Sequence, residues 1–289
     1  MMNDIRRVAV VGAGQMGAGI AEVFARAGLD TIVCEHGPAA LRAARARIDR
    51  SLHRAVDRGR LTERQRADTW AHLLFADDLE VLADRQLVVE AVVEDERVKA
   101  EVLVTLDKVL VADDAVLATN TSAIPVTRLG IATGRAAHVL GLHFFNPAPV
   151  MPLVELVSSL HTDPTVLDRV HGFAEDVLGK QVIRSRDRAG FVVNALLIPY
   201  LLSAIRLAEA GHATAADIDA GMVHGCAHPM GPLRLADLIG LDTVEAIARS
   251  MYDEYKEPLY APPPLLSRMV EAGLLGRKTG HGFHPYRTP

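Results

Sequence analysis

The residues best suited to do chemistry lie near the middle of the chain. His143 falls late in an apolar, β-rich run, His138-Val-Leu-Gly-Leu-His143-Phe-Phe, and Glu155 sits in a second such run, Leu153-Val-Glu155-Leu-Val. The Pro-rich turn Asn146-Pro-Ala-Pro separates them. Two strands joined by that turn can bring the imidazole and the carboxylate together. A histidine held by a carboxylate is a suitable general base near neutral pH. The carboxylate fixes the tautomer and stabilises the imidazolium once a proton is taken. A lone histidine at a strand end is more often structural, so the pair acquires meaning only from its surroundings.

Those surroundings begin at the N-terminus. Arg7-Val-Ala-Val-Val leads into Gly12-Ala-Gly14-Gln15-Met16-Gly17. The helix-forming segment Ala18 to Ala27 follows, and then Asp30-Thr-Ile-Val-Cys-Glu35. Gly12 permits a tight turn, Gly14 lets the backbone approach a pyrophosphate, and Gly17 lets the helix pack on the strand. The helix N-terminus offers unpaired N–H groups and a partial positive charge to phosphates. Glu35, at the end of the second β run, suits the adenosine ribose hydroxyls and disfavours a 2′-phosphate. A glycine loop alone is weak evidence. Strand, loop, helix and acid in this order read as a dinucleotide site, with NAD preferred over NADP. With NAD in place, His143 would take the proton of a substrate hydroxyl as its carbon gives up hydride.

The elements that must position these groups alternate. Pro38 to Arg58 reads as a helix; Gln86-Leu-Val-Val-Glu90-Ala-Val-Val reads as a buried parallel strand, with a helix starting near Glu94 and Lys99. Ala115 to Ala118 is a further strand, ending in Thr119-Asn120-Thr-Ser122. Pro164 to Leu178 reads as a helix and Gln181 to Ser185 as a last strand. Such alternation predicts a doubly wound α/β sheet, whose ligands bind beyond the C-terminal strand ends. From about residue 186 onward only helix candidates are evident. The expected organisation is therefore residues 1–186 as a Rossmann-like domain and 187–289 as an all-α domain.

Other groups stay open on spacing alone. Ser122 and Asn194 can hold a reacting oxygen or a cofactor amide, or serve as a helix cap and a buried amide. Arg47, Arg50, Arg54 and Arg58 fall on one helix face, which is either an anion site or, preferred on pattern, a solvated basic face. Lys278 sits in a glycine-flanked basic turn. His224, Cys226 and His228 are ligand types at two-residue steps, but no second cluster accompanies them and Pro229 follows, so no metal is expected.

Composition narrows the class. Of 289 residues 49% are apolar and 4% aromatic, enough for aliphatic cores, and no run is long and charge-free enough to span a bilayer. A formal charge of −5 argues against a general nucleic-acid binder. Two distant cysteines, Cys34 and Cys226, give no disulfide framework, and no signal peptide is read at the N-terminus; both fit the cytoplasm.

Several motifs in matching order resemble the 3-hydroxyacyl-CoA dehydrogenase family, nearest its bacterial 3-hydroxybutyryl-CoA branch. They are Gly12-Ala-Gly-Gln-Met-Gly-Ala-Gly-Ile-Ala21, Asn120-Thr-Ser122, Gly141-Leu-His-Phe-Phe-Asn-Pro-Ala-Pro-Val-Met151, Gly190-Phe-Val-Val-Asn194, His228-Pro-Met-Gly-Pro232, Asp237-Leu-Ile-Gly-Leu-Asp242 and Gly276-Arg-Lys-Thr-Gly-His-Gly-Phe283. The stretch around His143 is the most specific. The resemblance implies His143 as base, Glu155 as its partner, and Ser122 and Asn194 around the reacting oxygen. It implies NAD contacts from the glycine loop, Glu35, Glu94, Lys99, Asn120, Ser122, Asn146 and Lys278. It places Ser51, Arg58 and Ser122 at the acyl-CoA and makes the helical domain a homodimer interface. This chain departs from the family pattern with Glu35 for Asp, Arg58 for Lys, Ala189 for Pro and Ala195 for Arg. The last removes a cation near the cleft. It motivates an alternative substrate, a hydroxyacyl unit on a carrier protein. A reading of another class, a non-catalytic NAD-binding sensor or structural protein, has no use for His143 and Glu155.

Overall fold

The computed structural model describes residues 4–286. These divide into two compact units, one ending at Arg188 and one beginning at Ala189.

The first unit is built on β1 (Arg7–Val11), β2 (Asp30–Cys34), β3 (Leu73–Ala76), β4 (Leu87–Glu90), β5 (Val116–Thr119), β6 (Val139–Phe144), β7 (Leu153–Ser158) and β8 (Gln181–Arg186). They form one sheet in the order β3-β2-β1-β4-β5-β6-β7-β8. Every pairing is parallel except β6 with β7. The central strands are sealed on both faces, as their unbroken apolar runs require: Val8, Ala9, Val10, Leu87, Val88, Val89, Leu117 and Ala118 are all wholly buried. Strand order reverses between β1 and β4, so the crevice beyond their C-terminal ends is the natural ligand site of this sheet.

The crossovers are α1 (Gln15–Arg26), α2 (Gly37–Asp57), α3 (Glu63–Ala71), α4 (Glu96–Val109), α5 (Val126–Ile131) and α6 (Pro164–Gly172). Their starts are chemically marked. Thr62 and Gln65 form a capping box on α3, Asp95 accepts from the Val98 N–H on α4, and Asp163 precedes Pro164 on α6. α1 is anchored by Phe24, which packs edge-on against Phe144 and Phe173 at centroid distances of 6.4 and 5.9 Å.

The second unit holds α7 (Val193–Glu209), α8 (Ala215–Cys226), α9 (Pro232–Ile239), α10 (Leu241–Tyr255) and α11 (Pro264–Glu271) around Leu201, Leu202, Ile205, Leu233, Leu241, Val244 and Met251. Two buried carboxylates organise its end. Asp219 accepts from the first-turn N–H groups of Leu233 and Arg234 and pairs with the His284 ring at 2.7 Å. Asp237 accepts from the N–H groups of Phe283 and His284 and from the Tyr286 hydroxyl.

Three elements differ from expectation. β3 and α9 carry no clear sequence signal: β3 is four residues at the sheet edge, and α9 is eight residues pinned between Gly231-Pro232 and Gly240. The helix read as Pro164 to Leu178 gives way to a π turn at Phe173–Val177. No helix among the described residues is long and apolar enough to cross a membrane.

Candidate active site

The β6–β7 reversal puts the two candidate catalytic groups side by side. In its register His143 lies directly opposite Glu155, and directly opposed residues present their side chains on one face. His143 Nδ1 lies 2.7 Å from Glu155 Oε2, and the residues are 6% and 0% exposed. A buried carboxylate at that distance assigns the Nδ1 proton and leaves the basic lone pair on Nε2. Phe145 packs edge-on against the imidazole at 4.8 Å. The connection from Phe145 to Pro152 contains the cis Asn146–Pro147 bond and the exposed Asn146. Lys180 holds this connection from below: its Nζ donates to the carbonyls of Ala148 at 2.8 Å and Met151 at 2.7 Å, and burial pushes its ammonium below the ordinary lysine range.

The glycine loop occupies the switch point. Gly12 has φ +86° and passes so close to the end of β4 that a Cβ would stand 2.7 Å from the Val92 nitrogen. At Gly17 a Cβ would collide with the Gly12 carbonyl oxygen, so this glycine seats α1 against the loop. Gly14 is different in kind. Nothing lies within 4 Å of where its Cβ would be, which is the open cradle a backbone-hugging phosphate requires. No side chain caps α1, so its first N–H groups, at Gln15 and Met16, face that cradle without a capping acceptor. Glu35 folds back here: its Oε1 accepts from the Ala13 N–H at 2.5 Å and its Oε2 from the His36 N–H at 3.3 Å. Loop, helix end and acid therefore fit a dinucleotide.

A buried charged network sets the next strand ends. Glu90, wholly buried at the end of β4, accepts from Lys99 Nζ at 2.8 and 3.1 Å, from the Val92 N–H at 2.7 Å and from the Thr119 hydroxyl at 2.7 Å. Lys99, 1% exposed, is also 3.2 Å from Glu94. Glu94 in turn accepts from the Ser122 N–H at 3.1 Å and from the Thr121 hydroxyl. Asn120 Oδ1 accepts from the Phe144 N–H at 2.8 Å, tying β5 to the strand that carries His143. Ser122 does not cap α5; Asp187 does, taking the Val126 and Thr127 N–H groups.

Thus Glu35, Glu94, Lys99, Asn120, Ser122, His143 and Glu155 all stand at or just beyond C-terminal strand ends or are bonded to groups that do. Ser51 and the exposed Arg58 lie along α2 and just past its end. In the second unit Asn194 is buried in the first turn of α7, and Lys278 pairs with Asp242 at 2.6 Å. Among the described residues no group of three His, Cys, Asp or Glu side chains is placed to hold a metal; His228 bonds Tyr200 instead. Sequence reasoning missed the parts played by Glu90 and Arg47. Glu90 had a signal, a charge interrupting an apolar strand. Arg47 had only its helical spacing, yet its Nη1 donates to the Ala13 carbonyl at 2.5 Å.

Residues 7–188 match the family model described as 3-hydroxyacyl-CoA dehydrogenase, NAD binding domain, and residues 190–286 match the C-terminal domain of the same family. A 3-hydroxybutyryl-CoA dehydrogenase of Mycobacterium tuberculosis is 59% identical over 286 residues, 99% of this chain and 100% of that protein. The crystal structure of M. tuberculosis FadB2 superposes with a TM-score of 0.97 at 60% identity, covering 98% of this chain and 99% of the other. That of (S)-3-hydroxybutyryl-CoA dehydrogenase PaaH1 from Ralstonia eutropha gives 0.93 at 40% identity, covering 99% and 100%. A glycine cradle, a strand-end acid and a carboxylate-held histidine, in a chain matched along nearly its whole length, establish that this protein belongs to the 3-hydroxyacyl-CoA dehydrogenase family and carries its NAD-binding domain.

Proposed function

We propose that this protein interconverts L-3-hydroxyacyl and 3-oxoacyl thioesters with NAD, and that 3-hydroxybutyryl-CoA is its substrate. The observation that carries the reading is the buried His143–Glu155 pair on a sheet that also holds an NAD cradle. In the oxidative direction the His143 Nε2 takes the proton of the 3-hydroxyl while C3 releases hydride and its C–O bond becomes a carbonyl. Bound NAD supplies the hydride acceptor. Glu155 stabilises the imidazolium formed in that step and holds the ring so that the same proton is returned in the reductive direction. Ser122, whose N–H is fixed by Glu94, contacts the reacting oxygen and the nicotinamide side of the cofactor; Asn194 also serves the oxygen. Glu35 takes the adenosine ribose. Glu94, Asn120, Asn146 and Lys278 are assigned to the cofactor, with Lys99 acting through Glu94. Ser51 and Arg58 are assigned to the CoA portion.

Names borne by relatives at 59% and 42% identity support the short-chain CoA substrate. A homodimer through the helical unit is part of the proposal, supported by Leu196 and Leu207 on α7, 74% and 46% exposed. So is a reducing, cytoplasmic setting, supported by the two free cysteines. Initial rates of NADH oxidation across 3-oxoacyl-CoA and matching acyl-carrier-protein thioesters test the substrate. Turnover on the carrier-bound form alone would overturn the CoA assignment. A His143→Ala protein is expected to lose about two to four orders of magnitude in turnover; near-normal turnover would overturn the base.

A further inference from the structure

Four arginines share one face of α2, and one of them is not turned to solvent. Arg47 is half-buried, and its Nη1 donates to the Ala13 carbonyl between Gly12 and Gly14. The other polar group of Ala13, its N–H, is held by Glu35. The two backbone groups of one wholly buried loop residue are thus gripped by a cation and an anion from neighbouring elements. The two side chains do not neutralise each other: among the described residues no carboxylate lies within 4 Å of the Arg47 guanidinium, whereas Arg85 has two and Arg135 has one. A guanidinium has five N–H donors in a planar fork matched to phosphate oxygens. One is spent on the loop carbonyl next to Gly14, and this holds the guanidinium against the glycine loop.

We propose that Arg47 is a further cofactor-binding residue of this NAD site, one that selects for the diphosphate of the dinucleotide. Glu35 and Arg47 then divide the adenosine half between them, the acid reading ribose hydroxyls and the cation reading phosphate charge. The inference rests on the NAD site of the proposed function and adds a residue to it. Its alignment comes from the loop carbonyl, so charge alone at position 47 does not suffice; a lysine ammonium supplies charge without the fork.

The test measures binding directly, so a failure of the thioester reaction leaves it intact. Dissociation constants for NADH, ADP-ribose and adenosine are determined by titration calorimetry for the wild type, Arg47→Met and Arg47→Lys, at two salt concentrations, with melting curves for each. Arg47→Met should weaken NADH and ADP-ribose about tenfold, leave adenosine within twofold, and flatten the salt dependence of NADH binding. Arg47→Lys should recover part of the salt dependence and less than half of the lost affinity, on a logarithmic scale. The Michaelis constant for the thioester should move less than twofold in both. Unchanged ADP-ribose affinity in Arg47→Met would overturn the proposal. So would an equal loss for adenosine, which marks a loop brace only.

Discussion

Replacing Glu155 by glutamine probes the proposed base at its most constrained point. The carboxylate is wholly buried, and glutamine preserves its volume and one of its oxygens. If the amide oxygen faces His143 Nδ1, the tautomer survives and only the negative charge is lost. If the amide nitrogen faces it, the ring proton moves to Nε2 and the ring offers the substrate a donor where an acceptor is needed. A general base starts the oxidative step as a neutral imidazole, so the ground state bears little of the loss. The transition state bears it, because there an imidazolium develops in a buried site that has lost the Glu155 charge. Leaving one member of a buried ion pair uncompensated costs about 3–5 kcal/mol. At about 1.4 kcal/mol per tenfold, turnover should fall roughly 150- to 4000-fold. NADH affinity should stay within twofold and the melting temperature within a few degrees. Initial rates of NAD reduction with 3-hydroxybutyryl-CoA, NADH fluorescence titration and thermal melts measure all three. Turnover within threefold of wild type, or a loss carried by NADH affinity, would refute the reasoning.

The two loop glycines should fail differently. Gly17→Ala forces a Cβ into the Gly12 carbonyl and should cost about 1–3 kcal/mol of stability along with NADH binding, whereas Gly14→Ala meets only open space and should melt like wild type while binding NADH poorly; melting curves paired with NADH titrations check both. Burial pushes the Glu22 carboxyl above its usual range, offset in part by the Ser51 hydroxyl and the Arg26 guanidinium. Since its folded pKa lies above its unfolded one, ionising Glu22 costs stability, a penalty absent below the unfolded value and present in full above the folded one. Glu22→Gln should therefore raise the melting temperature by about 2 °C near pH 8 and leave it unchanged near pH 4; no gain at the higher pH counts against this. Cys34 is 3% exposed and its thiol is pushed up to about 11, chiefly by burial, whereas Cys226 is exposed. A native-state thiol titration should count one reactive group, and two after unfolding.

The sequence was informative where one physical constraint dominates. Unbroken runs such as Leu87-Val-Val can only be buried strands, and the strand–glycine–helix order leaves little choice at Gly12 to Gly17. The pairing of His143 with Glu155 was visible as a possibility because a turn between two apolar runs makes antiparallel neighbours; the register that makes them directly opposed was not. Side-chain direction escaped more often. Glu35 is an acid at a strand end on paper, and only the fold shows it bent onto Ala13. Arg47 shares its helical spacing with Arg54 and Arg58, but it alone of the three meets the loop carbonyl. Short elements such as β3 escaped because four residues of mixed exposure following a helix carry no period of their own.

The single antiparallel pairing, β6 with β7, has a consequence for how such a protein changes over generations. Base and carboxylate are neighbours in a hydrogen-bonded ladder, so the backbone holds their alignment and the segment 145–152 is relieved of that duty. That segment can be exchanged for others of different size and polarity while the proton-transfer pair stays in place. Substrate preference and acid–base chemistry can then diverge independently within one lineage. The lesion this arrangement does not tolerate is a slip of one residue between the two strands, which would turn Glu155 to the opposite side of the sheet.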